Sequence, residues 1–146
     1  MKKLSIYLCI LLICSCTSYR SANTDGYSII GGGFKDQKIS NGIYKIEVQS
    51  GISMFANTNG SKNVWHRRAS ELCPTGYKIY DSNAGFSHEG IAPDLVFFSE
   101  VEHGQYKGFA SGYAICKDVT IPMDEIVSII NTQEQADLDK LLSEDL

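Results

Sequence analysis

Between Ile43 and Gln49 apolar and polar residues alternate without a break. Tyr44, Ile46 and Val48 fall on one side of an extended chain, and Lys45, Glu47 and Gln49 fall on the other. A period of two is the mark of a strand with one face buried. Such a strand requires a sheet, and the apolar face requires something to cover it. The cover is predicted directly downstream, in Ser61 to Cys73. There Val64, Trp65, Ala69, Leu72 and Cys73 recur at helical spacing and form one stripe. Arg67 and Glu71, four apart, make an ordinary surface pair. Arg68 lies near the stripe and is expected to pair with Glu71, the alternative being that it faces a ligand.

The remaining elements follow from punctuation. Asn57 to Ser61 reads as a turn with helix-cap residues, and Pro74 and Gly76 end the helix. Tyr77 to Tyr80 begins the next strand. Asp81 to Asp94 reads as a loop. Leu95 to Val101 and Gly108 to Lys117 read as an antiparallel hairpin about a turn at His103 to Gln105. Gly31 to Gly33 reads as a flexible turn or irregular edge, because a phosphate-binding loop would need a Gly-Lys-Ser/Thr ending and Phe34-Lys35-Asp36 stands there instead. Asp124 to Ile130 is a short helix candidate, and Gln133 to Leu146 continues as an acidic helix with Leu138, Leu141 and Leu142 on one face. The expected fold is α+β: a small, mainly antiparallel sheet with one principal packed helix and a C-terminal helical tail.

The N-terminus carries an address. Lys2 and Lys3 precede an apolar run from Leu4 to Ile13, broken only by Ser5. The run is too short for a spanning helix, which needs about 20 residues, and matches the core of a secretory signal. Ile13-Cys14-Ser15-Cys16 resembles the processing site of bacterial lipoproteins: a branched apolar residue, two small residues, then the cysteine. That resemblance implies cleavage before Cys16 and a diacylglyceryl thioether on its thiol, with multiple acyl chains, palmitate included, giving stable anchoring. Cys14 is a poorer candidate, because Ile13 would then fill the position that must be small. The alternatives are an ordinary secreted protein cut nearby, or a buried N-terminal helix. Thr17 stands where an Asp commonly retains such proteins in the inner membrane, so outer-membrane anchoring facing the periplasm is expected.

Residues 1–15 are thus read as signal peptide, 16–26 as a flexible tether, 27–119 as the α+β domain and 120–146 as the acidic tail. The mature chain keeps 131 of the 146 residues, enough for one domain with a real core. Two lysines leave with the leader, taking the formal charge from −4 to −6. An acidic chain without a basic block is not expected to bind nucleic acid or anionic lipid by electrostatics.

The cysteines sort by the same logic. Cys9 and Cys14 go with the leader, Cys16 takes lipid, and Cys73 and Cys116 remain. In an oxidising envelope an even pair points to a disulfide. A link across 43 residues of chain would contribute about 4 kcal/mol by loop entropy. Free buried thiols, or a redox-active pair without Cys-x-x-Cys spacing, are the alternatives.

The run Arg68-Ala69-Ser70-Glu71-Leu72-Cys73, a short break, then Gly76-Tyr77 resembles the core of uncharacterised small envelope lipoproteins of Gram-negative bacteria. The likeness spans Tyr44 to Lys117 and implies a small α/β fold and an envelope location, with no established activity. Residues after Thr120 lie beyond it.

Chemistry is thin. Gly85-Phe86-Ser87-His88-Glu89-Gly90 approaches the Gly-x-Ser-x-Gly nucleophile elbow, but the spacing is off by one. His66, His88 and His103 share no ligand spacing. Glu100 and Glu102 share a strand face near His103, which suits a weak cation site or an ordinary acidic surface. No cofactor or metal is expected. Three functions are carried forward: a non-catalytic lipoprotein with a binding, structural or sensory role, whose partner is an envelope protein held by the tail; an envelope hydrolase using Ser87 and His88; and a surface factor contacting another cell or host.

Overall fold

The computed structural model describes residues 19–23, 26–27, 32–52, 58–81, 85–87, 95–102 and 105–144, of which 81, 85–87, 95–102, 105 and 144 are described by backbone alone. The leader, Cys16, His88 and His103 lie outside the described residues. The elements run β1 (Gly32–Ser40), β2 (Ile43–Ser50), α1 (Thr58–Leu72), β3 (Tyr77–Asp81), β4 (Gly85–Ser87), β5 (Leu95–Glu102), β6 (Gln105–Cys116) and α2 (Met123–Glu144).

The six strands form one sheet: five run in the order β1-β2-β6-β3-β4, β5 pairs with β6 off that path, and every ladder is antiparallel. β6 is its spine. One edge of β6 pairs with β2 from Phe109 to Ile115. The other edge is shared, with β5 along Gln105 to Ser111 and β3 along Tyr113 to Cys116. The expected strands at Ile43, Tyr77, Leu95 and Gly108 are all present. β1 was not expected: its opening glycines suggested a turn. It is joined to β2 through Asn41-Gly42, with Ser40 opposite Ile43. Gly42 has φ of 72°, and a side chain there would collide with Val119. Gly32, at φ 66°, lies against the backbone of Gln49 and Ser50 with no room for a Cβ.

Each face of the sheet has its own core. Phe34, Ile46, Val48, Ile79, Ala110 and Ala114 meet Val64, Trp65 and Ala69 of α1. β6 places Ala110, Gly112 and Ala114 opposite Val48, Ile46 and Tyr44. These small residues leave room for the Trp65 ring, which is fully buried and donates its Nε1–H to the Ile46 carbonyl at 3.0 Å. The two buried serines serve one strand residue: Ser61 donates to the Gly108 carbonyl at 2.9 Å, and Ser50 accepts the Gly108 N–H at 2.8 Å. α1 is the helix the apolar stripe predicts, starting three residues earlier than Ser61.

On the opposite face Ile43, Tyr80, Tyr113 and Ile115 meet Ile126 and Ile130 of α2. α2 is one continuous helix rather than a short helix followed by a tail. Its first turn carries Asp124 and Glu125, the sign that suits a helix N-terminus. The C-terminal helix therefore supplies core, because the second sheet face is too apolar to be left to water.

Cys73 and Cys116 form the expected disulfide, with Cα atoms 5.0 Å apart. It joins the end of α1 to the end of β6, and Lys117 N–H donates to the Gly76 carbonyl alongside at 2.9 Å. Within the segment read as a tether, residues 20–22 lie against the free edge of β1. Phe34 N–H donates to Arg20 at 2.9 Å, Ala22 N–H donates to Phe34 at 2.6 Å, and Ser21 makes a parallel bridge to Phe34. Asn23 finishes the seam, its amide exchanging two hydrogen bonds with the Asp36 backbone. The exposed strand edge is blunted in this way.

Candidate functional site

Three places gather polar or exposed groups. The first lies on the outer flank of α1. Arg68 makes a two-pronged contact with Asp36 at 3.1 and 3.2 Å, and a third bond to Glu71 at 3.1 Å. The expected Arg68–Glu71 pair is real, but the partner held by both prongs is Asp36, on β1. Arg68 also lies 5.0 Å from the Phe34 ring centre. Glu71 further accepts from Arg67 at 3.2 Å and from the Tyr19 hydroxyl. The Arg67 guanidinium stacks 3.8 Å from the Tyr19 ring centre. Burial alone would lower the Arg68 pKa, but the bonds to Asp36 and Glu71 outweigh it and raise it. Glu71 is held below the usual carboxylate range, first by the Tyr19 hydroxyl and then, against slight desolvation, by Arg68 and Arg67. Every charge in this network is spoken for, so it is a clasp between α1, β1 and the N-terminal segment.

The second is a cavity of about 320 Å³ between β1, β2 and α2, lined by Asn23, Lys35, Asp36, Gln37, Lys45, Glu47 and Asp137. Lys45 donates to Asp137 at 2.6 Å and stands 3.7 Å from Glu47. Gln133 occupies the other Asp137 oxygen at 2.7 Å. Burial opposes the Lys45 charge, yet the Asp137 bond and the nearby carboxylates raise its pKa overall. Asp137 shifts down, chiefly through the Lys45 bond. Lys35 lies 5.0 Å over the Tyr27 ring. Tyr113 is buried close by, and its hydroxyl makes no hydrogen bond to a described residue. Burial, then the Glu134 and Asp137 charges, pushes its pKa up. With Lys45 paired to Asp137 and Asp36 to Arg68, the lining keeps one lysine, Lys35, whose contact is the Tyr27 ring rather than a carboxylate.

The third is the far half of α2. Ile126 and Ile130 are buried, but Leu138, Leu141 and Leu142 are 50, 62 and 61 % exposed. They are three and four residues apart, so they share one face of the helix. Asp137, one residue before the stripe, holds the helix to Lys45 and so fixes its direction.

The remaining sequence candidates are dispersed. Ser87 ends β4, and its backbone pairs with Ile79. The next described element is the strand β5, whereas a nucleophile elbow stands between a strand and a helix. His66 Nδ1 and the Tyr77 hydroxyl are 2.7 Å apart, and burial followed by the Lys62 charge lowers the His66 pKa. Among the described residues no three His, Cys, Asp or Glu side chains are grouped to hold a metal ion, and no helix is long and apolar enough to cross a membrane. The pairing role of Asp36 escaped the sequence reading, which named it only as unlike the end of a phosphate-binding loop. The signal that would have found it was Asn41-Gly42, a hairpin turn that places β1 beside β2 and Asp36 opposite Ile46.

Comparison with known proteins finds no matching family model, no matching curated protein and no matching solved structure.

Proposed function

We propose that this chain is a lipid-anchored outer-membrane lipoprotein, held through Cys16, that binds an envelope protein with the exposed leucine face of α2. The observation that supports the binding role is the division of α2. Its first turns are built into the core, while Leu138, Leu141 and Leu142 stand in water on a helix that Lys45 and Asp137 hold in place. Apolar side chains on a held helix suit a helix-in-groove contact, in which few partner residues need ordering on binding. The leader supports the anchor: charge, apolar run, small residues and cysteine coincide at Cys16.

Crosslinking of the tagged, lipidated protein in cells tests the binding role. One reproducible envelope protein is expected to co-purify, and Leu138→Ser/Leu141→Ser/Leu142→Ser is expected to lose it while staying folded. A partner retained by that variant would refute the leucine face. Cys16→Ala is expected to leave the membrane fraction. Its persistence there after an alkaline wash would refute the lipid anchor.

A further inference from the structure

On the sheet face that α2 covers, β1 and β2 set two side-chain pairs directly opposite each other: Lys35 with Glu47, and Gln37 with Lys45. All four line the cavity of about 320 Å³, and Asp137 of α2 adds to the lining. Opposite charges in register, with Cβ atoms about 5 Å apart, ordinarily pair with each other. Lys35 and Glu47 do not. The Lys35 ammonium lies 5.0 Å over the Tyr27 ring, and the Tyr27 hydroxyl is 3.5 Å from the Glu47 carbonyl, so the ring stands where it draws the lysine aside. Glu47 is 3.7 Å from Lys45, too far for a hydrogen bond, and Lys45 already donates to Asp137 at 2.6 Å.

The other charges of the lining are engaged. Arg68 holds both oxygens of Asp36, and Lys45 with Gln133 holds both of Asp137. One cation, Lys35, and one carboxylate, Glu47, are left on neighbouring strands with a gap between them. A ligand of one charge would be matched by one of these and opposed by the rest. A lone cation would also meet Lys45, and a lone anion would also meet Asp137. A ligand that carries both charges meets neither conflict.

We propose that this cavity binds a small zwitterion, a free α-amino acid with a short or polar side chain. Its carboxylate lies on the Lys35 ammonium and its ammonium on the Glu47 carboxylate, beside the Gln37 amide. The volume is near the lower end of ligand sites, about 300 Å³ upward. Every described residue of the lining is polar, so recognition comes from charge and not from an apolar anchor. Antiparallel pairing of β1 with β2 holds the two charged residues in place before the ligand arrives. The site is separate from the leucine stripe of α2 and needs no lipid on Cys16.

The test is a titration of the full-length protein with L-serine, followed by amide chemical shifts in NMR spectra. The signals of Lys35, Gln37 and Glu47 should move together and saturate. Acetate and methylammonium, with one charge each, should need about tenfold higher concentrations or more, the worth of one charge-assisted hydrogen bond. Lys35→Gln and Glu47→Gln should each weaken serine binding by about the same factor. Lys62→Gln, on α1, should leave it unchanged. Unaltered amide signals outside β1 and β2 would show that each variant keeps the fold. Serine shifts that do not saturate would overturn the site, and so would serine binding unchanged in both glutamine variants. Acetate or methylammonium acting at the same concentration as serine would overturn the zwitterion.

Discussion

α1 and α2 cover the two faces of one sheet, yet they are held by different means. The 15 residues of α1 bury Ser61, Val64, Trp65 and Ala69, spread along its length, and its end is tied by the Cys73–Cys116 bond. The 22 residues of α2 bury Ile126 and Ile130, both near its start, and beyond them the ion pair of Asp137 with Lys45 fastens it to the sheet. The difference teaches that a helix on a small sheet divides its labour along its axis. Where apolar contacts and a covalent tie run its whole length, the helix is scaffold. Where they stop, the rest is surface available for other contacts.

The largest effect that would break this contrast is at Trp65. Trp65→Ala should cost about 3–5 kcal/mol, since it empties the main core and orphans the Ile46 carbonyl bond. Urea unfolding measures it, and a loss under 1 kcal/mol would remove α1 from the role of scaffold. Opening the disulfide comes next. Cys73→Ser/Cys116→Ser should lose about 4 kcal/mol by the loop-entropy account, read as a lower urea midpoint.

Ile130→Ala should cost about 2–4 kcal/mol and mark where α2 still belongs to the core. Leu141→Ala, eleven residues on, should stay within about 0.5 kcal/mol, because its side chain is 62 % exposed. Equal losses at the two positions would erase the division of α2.

A small, pH-dependent effect sharpens the boundary between its halves. Asp137 has its folded pKa lowered, so its contribution is present above the unfolded carboxylate value and lost as pH falls through the folded one. Lys45 has its folded pKa raised, so its contribution is present below the unfolded lysine value and lost as pH rises through the folded one. The pair thus stabilises from about pH 4 to about pH 10. Solvent screens it, with the Asp137 side chain 35 % exposed, and its worth is below about 1 kcal/mol. Asp137→Asn should flatten part of the acid limb of stability against pH. An acid limb unchanged in that variant would show that α2 is not fastened there.

The contrast also separates what was legible from what was not. The stripe of α1 could be read because Val64, Trp65, Ala69 and Cys73 lie within ten residues of one another. Arg68 was half legible: Glu71 is three residues away, but Asp36 is 32 residues away on a strand whose glycines disguised it. Asn41-Gly42 announces that strand, and it outweighs the glycines because a turn fixes register while Gly32 and Gly33 only weaken propensity.

By itself, then, the sequence determined the elements whose pattern repeats over a few residues. These are the alternating strand at Tyr44 to Val48, the helix after Ser61 and the antiparallel α+β class, together with a cysteine pair suited to one bond. Tertiary structure alone decided that α2 covers the second face, that residues 20–22 seal the edge of β1, and that Arg68 grips Asp36. The physical reason is range. Periodicity records what a residue needs from its own helix or strand, whereas the identity of its cover depends on which distant segment folds against it.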